Sequence, residues 1–150
     1  MKRVIFVFPV LLVLLSLACG FNFSTANIES AVMAKDPDGA NPTTTFAQDD
    51  TFYLVVQVAN APDDTRVKAV WTAVEADGVE PNFLLGEKEL VGGGQVNFSL
   101  ENDMLWPVGK YKVDLYLNDE LDRTLEFTVE GDVTAQAPTP TSEPPTPTSE

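Results

Sequence analysis

The chain has 150 residues, and both of its ends read as non-globular, which leaves about 105 residues for a single core. Acidic side chains outnumber basic ones 23 to 9, and the resulting charge of −14 repels phosphate backbones and excludes nucleic-acid binding. There is no histidine, so zinc sites and Ser-His or Cys-His catalysis are excluded as well.

Met1-Lys2-Arg3 is a short basic region, followed by about a dozen apolar residues (4–15) and then by Ser16-Leu17-Ala18-Cys19-Gly20, the order of an export leader. The apolar run falls short of the roughly 20 residues that span a bilayer, and Pro9 interrupts it. The one cysteine, Cys19, directly follows small Ala18 at the end of that run. This arrangement resembles the lipobox of bacterial lipoproteins, with Ser16 standing where that family most often has leucine. The resemblance implies that residues 1–18 are removed and that Cys19 is diacylated through its sulfur, its new amino group often being acylated too. It also implies that the chain is lipid-anchored to the bacterial membrane, facing the cell exterior or periplasm. Several acyl chains on one residue give stable anchoring. A single cysteine allows no disulfide within the chain, so packing alone must hold the domain. Residues 19–25 form a tether of at most about 20 Å, in which Phe21 and Phe23 either pack on the first strand or dip into the lipid interface.

Residues 26–130 read as the domain. Residues 28–35 form a first strand with Ile28 and Val32 on one face. A loop follows, Asp36-Pro37-Asp38-Gly39-Ala40-Asn41-Pro42, rich in turn-forming residues. Residues 51–60 are apolar on both faces, with Phe52, Leu54, Val56 and Val58 on one, which places this strand centrally. Ala61-Pro62-Asp63-Asp64 turns the chain into 65–75, where Val67, Ala69, Trp71 and Ala73 alternate with Arg66, Lys68 and Thr72. Residues 83–90 form a fourth, less regular strand. Gly92-Gly93-Gly94 is a hairpin turn rather than a phosphate cradle, because no Gly-Lys-Ser/Thr follows. Val96, Phe98 and Leu100 face inward on the fifth strand, and Gln95, Asn97 and Ser99 face outward.

The closing hairpin has the clearest pattern. Tyr111, Val113, Leu115 and Leu117 alternate with Lys110, Lys112, Asp114 and Tyr116. A two-residue loop at Asn118-Asp119 pairs Leu117 with Glu120 and turns the even-numbered residues of the last strand inward. The apolar residues there are odd-numbered: Leu121, Leu125, Phe127 and Val129. A three-residue loop, or a bulge near Asp122-Arg123, must therefore restore the register, and Arg123 then falls on the inner parity.

Seven strands with regularly spaced turns predict an all-β, antiparallel sandwich. Trp71 on the third strand and the Pro107-Val108-Gly109-Lys110-Tyr111 corner resemble immunoglobulin-like and fibronectin-like domains, and the resemblance implies that fold. Trp106 caps the sandwich or stands exposed for recognition. Tyr53 and Tyr116, on outward parities, are either an aromatic platform or cross-strand partners. Residues 131–150 turn Pro/Thr/Ser-rich and read as a disordered tail.

Strand alternation gathers Asp36, Asp38, Asn41, Asp49, Asp50, Asp77, Glu80, Asn82, Glu101, Asn102 and Asp103 at the end away from the anchor. Within this acidic crown Asp36, Asp38 and Asn41 supply alternating oxygens around a tight turn, a candidate calcium site without the glycine position or terminal glutamate of an EF-hand. Asp49-Asp50 and Asp63-Asp64 flank one strand and stand on the order of 30 Å apart, too far for a glycosidase pair, which needs less than about 10 Å. The expectation is a lipid-anchored, exported, non-catalytic binding or structural module at the cell envelope. It contacts the membrane through Cys19 and takes an envelope protein or glycan as partner. The alternatives are a calcium- or carbohydrate-binding module using the acidic end, and, furthest from the residues, a small envelope hydrolase.

Overall fold

A computed structural model describes residues 25–131. The expected leader (1–18), Cys19, Phe21 and Phe23 and the expected tail after Gly131 lie outside the described residues. The described chain is all-β, with eight strands: β1 (Asn27–Ala34), β2 (Thr45–Ala47), β3 (Phe52–Ala59), β4 (Arg66–Ala76), β5 (Phe83–Val91), β6 (Gly94–Leu100), β7 (Gly109–Leu117) and β8 (Glu120–Glu130). They form a three-stranded sheet in the order β1-β3-β6 and a five-stranded sheet in the order β2-β8-β7-β4-β5. Every pairing is antiparallel except β2 with β8. Two facing sheets with this strand order make an immunoglobulin-like sandwich.

Period-two alternation sets the core. In β3 Phe52, Leu54, Val56 and Val58 are buried, and β4 answers with Val67, Ala69, Trp71 and Ala73. Trp71 is 1% exposed, in the core as its pattern requires. Antibody domains back this tryptophan with a disulfide; here aromatic rings occupy the centre. Phe52 stacks on Trp106 at 4.6 Å and meets Phe127 edge-on at 4.9 Å, while Tyr111 stacks on Phe127 at 5.5 Å. Such pairs each contribute about 0.5–1.5 kcal/mol beyond the area they bury.

The eighth strand is β2, three residues long, which the sequence pattern does not reveal. It carries Phe46 into the core, edge-on to both Phe52 and Phe127. The first strand departs from its expected facing. A bulge shifts the register between Ile28 and Ser30, so buried Ile28 is followed by buried Met33, and Val32 turns outward at 38% exposure. In the last hairpin Leu117 pairs with Glu120 across a two-residue Asn118-Asp119 loop, both residues having positive φ (48° and 70°). That is the type I′ geometry that suits strand twist. The bulge then falls at Asp122: Tyr116 pairs with Leu121 and Leu115 with Arg123. Leu121, one residue before it, is left 56% exposed instead of buried.

The chain enters at Thr25, whose hydroxyl donates to the Asn60 carbonyl (3.0 Å), at the end where β3 finishes and β4 begins. It leaves at the other end, where Val129 pairs with Gly109 and Glu130 with Ala47.

Candidate functional site

The structure joins two of the three calcium candidates, though not as a ligand set. Asp36 Oδ1 accepts from the amides of Asp38 (3.1 Å) and Ala40 (2.9 Å). Its Oδ2 accepts from the Asn41 amide (2.7 Å) and from Asn41 Nδ2 (3.0 Å). These donors, the Ala40 amide foremost, hold the Asp36 carboxyl below its ordinary value despite the opposing effect of desolvation. Both carboxylate oxygens thus organise their own turn, and Asn41 presents a donor to Asp36. Asp38 is exposed. The loop folds back over the outer face of the three-stranded sheet: the Pro37 carbonyl accepts from Asn97 Nδ2 (2.8 Å), and a Cβ on Gly39 (φ 72°) would meet Val55 at 3.3 Å. A cation ligated by Asp36 would have to displace N–H donors from it. Among the described residues no three His, Cys, Asp or Glu side chains group to hold a metal.

Asp50, also in the crown, is engaged as well. Its Oδ2 accepts from the Ala47 amide at 2.7 Å and pairs with Lys35 at 2.6 Å. Burial raises its pKa, and the Lys35 contact and the Ala47 amide outweigh that to leave it lowered.

Between the β4–β5 turn and the β6–β7 connection lies a feature that the acidic residues obscure in the sequence, an apolar cleft of about 360 Å³. Its floor is Ala73, Trp106 and Tyr111, and its walls are Phe83, Leu85, Leu100, Met104 and Leu105. Trp106 is fixed by four contacts: its amide donates to Gln48 O (2.7 Å), its carbonyl accepts from Gln48 Nε2 (2.8 Å), its indole Nε1 donates to Asp50 O (2.9 Å), and its ring stacks on Phe52. At 5% exposure it caps the sandwich and offers no free recognition face. The Tyr111 hydroxyl donates to Pro107 O at 2.5 Å, the tyrosine corner of immunoglobulin-like domains. A rigid floor therefore carries an exposed apolar rim, with Met104 at 76%, Leu105 at 64% and Phe83 at 51%. Asp77, Glu80, Glu101 and Asp103 lie in the same two connections. Volumes of this size suit a small ligand or one or two large apolar side chains. The only trace in the sequence is the pair Met104-Leu105, apolar in a connection that has no strand to bury it.

The two outward tyrosines do not share a surface. Tyr53 lies on β3 and Tyr116 on β7, in opposite sheets. Tyr116 pairs with Lys68, whose ammonium sits 4.8 Å from the ring centroid.

No protein-family model matches the chain, and no curated protein matches it either. Among solved structures it is similar to an immunoglobulin-like protein from Pseudomonas aeruginosa, at 15% identity over 70% of this chain and 96% of that one, with a TM-score of 0.48. It is also similar to a beta-glucosidase from Listeria innocua, at 16% identity over 73% of this chain and 16% of that one (TM-score 0.48). A third likeness is to a superoxide reductase (neelaredoxin) from Ignicoccus hospitalis, at 17% identity over 69% of this chain and 82% of that one (TM-score 0.41). At these scores the likenesses carry no argument about activity. The immunoglobulin-like assignment rests on the chain's own strand order, its core tryptophan and its tyrosine corner.

Proposed function

We propose that the chain is an exported lipoprotein, anchored through acylated Cys19, whose immunoglobulin-like domain acts as a non-catalytic binding module at the cell envelope. The observation that carries the binding reading is the apolar cleft at the end of the sandwich opposite Thr25. A domain tethered at its Thr25 end presents that cleft outward, where an envelope protein can insert an apolar side chain between Phe83 and Leu105. Rigid floor residues favour this use, because a pocket already formed costs little ordering on binding. Localisation rests on the basic-apolar-cysteine leader.

The test places a photocrosslinking amino acid at Leu105, and in a parallel strain at Asp64 in the turn at the opposite end, in cells producing the full chain. The reading expects one discrete adduct from Leu105, lost when Phe83 is replaced by Glu, and none from Asp64. Equal labelling from both positions, or none from either, overturns the binding reading. Mass spectrometry of the mature N-terminus tests the anchor separately, and an unacylated Cys19 overturns it.

A further inference from the structure

The apolar cleft has a rim charged with one sign. Glu101 and Asn102 line it, Asp103 lies between Asn102 and the wall residue Met104, and Glu80 follows the lining residue Val79. Asp77 stands close enough to the floor for its carboxylate to help push the Tyr111 phenol up. All four acids are exposed, and among the described residues none of them has an ion-pair partner. The cations are committed to other groups: five of the seven basic side chains among the described residues pair with other carboxylates, and a sixth, Lys68, lies over Tyr116. Carboxylates gathered without counter-charge make a field that favours an incoming cation. The floor, by contrast, has no polar group to spare. Trp106 Nε1 donates to Asp50 O, and the Tyr111 hydroxyl donates to Pro107 O. A sugar brought to this floor would leave hydroxyls unpaired, a cost that an apolar side chain does not incur.

We infer that the occupant of the cleft is one large apolar side chain, of the phenylalanine or leucine kind, set between lysines or arginines on a segment of a partner protein. This rests on the binding reading proposed above and adds the chemistry that the partner brings. The apolar group enters the cleft, and the flanking cations stay at its wet edge, beside Asp77 and Glu80 in one connection and Glu101 and Asp103 in the other. The chain's own last residues do not meet this description. Gly131 lies against Val108, next to the lining residue Pro107, and a Cβ on it would meet Val108 at 3.2 Å. Residues 132–150, however, hold three acidic residues, no basic one and no apolar side chain larger than valine.

The experiment uses the chain from Gly20 to Glu150, which lacks only Cys19 of the expected mature chain and contains both complete sheets. Three end-blocked heptapeptides serve as probes: Gly-Ser-Lys-Phe-Arg-Ser-Gly, the same with Glu in place of both basic residues, and the same with Ala in place of Phe. Binding is followed by NMR. The first probe should bind with a Kd of about 1 mM or tighter and shift the Leu105 and Trp106 amides, and the other two should bind at least about tenfold more weakly. Raising the ionic strength from about 0.02 M to about 0.5 M should weaken the first probe. Glu101→Gln combined with Asp103→Asn should weaken it about fivefold, whereas Asp63→Asn combined with Asp64→Asn, which removes the same charge at the opposite end, should not. Equal binding of the two Phe probes overturns the inference and leaves the cleft as a binding surface. Equal binding of the Ala and Phe probes, or equal loss in the two double variants, reveals attraction by overall charge and overturns it as well. Binding of none of the probes also overturns it, and the Leu105 crosslink still decides the binding reading. The comparison of probes on the unsubstituted chain stands even if a variant fails to fold.

Discussion

Arg123 Nη2 donates to the Ile28 carbonyl at 2.8 Å, so a residue beside the bulge of β8 caps a residue beside the bulge of β1 in the opposite sheet. The same guanidinium is held by Asp122 through Nε at 2.6 Å. Each bulge takes a strand out of regular pairing, and this bond links the two irregularities. Arg123→Met keeps the apolar stem and deletes the donors. Urea denaturation should show it about 1.5–3 kcal/mol less stable, the range for a hydrogen bond to a charged group. Arg123→Lys should recover only part of that, since an ammonium cannot serve two acceptors in a fixed fork.

Tyr111→Phe leaves the ring packing intact and removes the hydroxyl that donates to Pro107 O. The expected loss at neutral pH is about 1 kcal/mol. Burial first, and then the Asp77 carboxylate, push the Tyr111 phenol up to about 12. The unfolded chain deprotonates this tyrosine near its ordinary value of 10.0, whereas the folded chain retains the proton. Its contribution is therefore full below about pH 10 and is lost as pH rises towards 12. The stability gap between wild type and Tyr111→Phe, measured by denaturant titration at stepped pH, should narrow over that window.

Asp36, Asp50 and Asp114 are each held below their ordinary value of 3.8. For Asp114, burial works the other way and is outweighed by the Lys112 ammonium and the Thr124 hydroxyl. Depressed carboxyls stabilise above their unfolded pKa and lose that contribution as pH falls through the folded one. Thermal melts should therefore drop below about pH 4. Asp36→Asn should lie below wild type at pH 7 and converge on it towards pH 2.

Gly109 opens β7 against the irregular end of β4. A Cβ there would overlap the Glu75 carbonyl oxygen and sit 2.5 Å from Ala76 Cα, backbone that cannot swing aside. Gly109→Ala should cost about 3 kcal/mol, at the upper end for overpacking. Gly78→Ala probes a different situation, positive φ (73°) with nothing within 4 Å, and should cost only about 1 kcal/mol. Parallel melts of the two variants separate crowding from backbone preference.

Thr65 is 1% exposed and its Oγ1 has no hydrogen-bond partner among the described residues. Thr65→Val preserves shape and removes the unsatisfied hydroxyl, so it should stabilise by about 1 kcal/mol. A lower melting temperature would show that the hydroxyl is satisfied in solution.

Long alternating strands were legible because burial on one face imposes period two; β3 follows it residue by residue, β7 does so from Tyr111 to Leu115, and β4 does so up to Trp71, after which Thr72 is buried as well. Parity alone required a correction near Asp122-Arg123, and the bulge lies there. Where reading stopped, a local event had broken the period. The Glu29 bulge exchanges Val32 for Met33, and β2 is too short to carry any pattern. The acidic residues of the crown were legible as a set, but not what their side chains face. Asp36 turns inward on its own loop amides because those N–H groups lie nearest. The cleft was hidden because β5, β6 and the following connection, though consecutive in the chain, belong to two different sheets, and only the packing of those sheets brings their apolar residues around Ala73 and Tyr111.

Thr25 and Gly131 lie at opposite ends of the sandwich. Tension applied between these two points runs along the strands rather than across them. The ladders joining β1 to β3 and β8 to β7 are then loaded in shear, so several hydrogen bonds must fail together instead of one after another. The same fold with both termini at one end would peel open like a zipper. The strand directions make this domain a stiff link in series between Thr25 and Gly131, built to pass a pull from one of these points to the other before it yields.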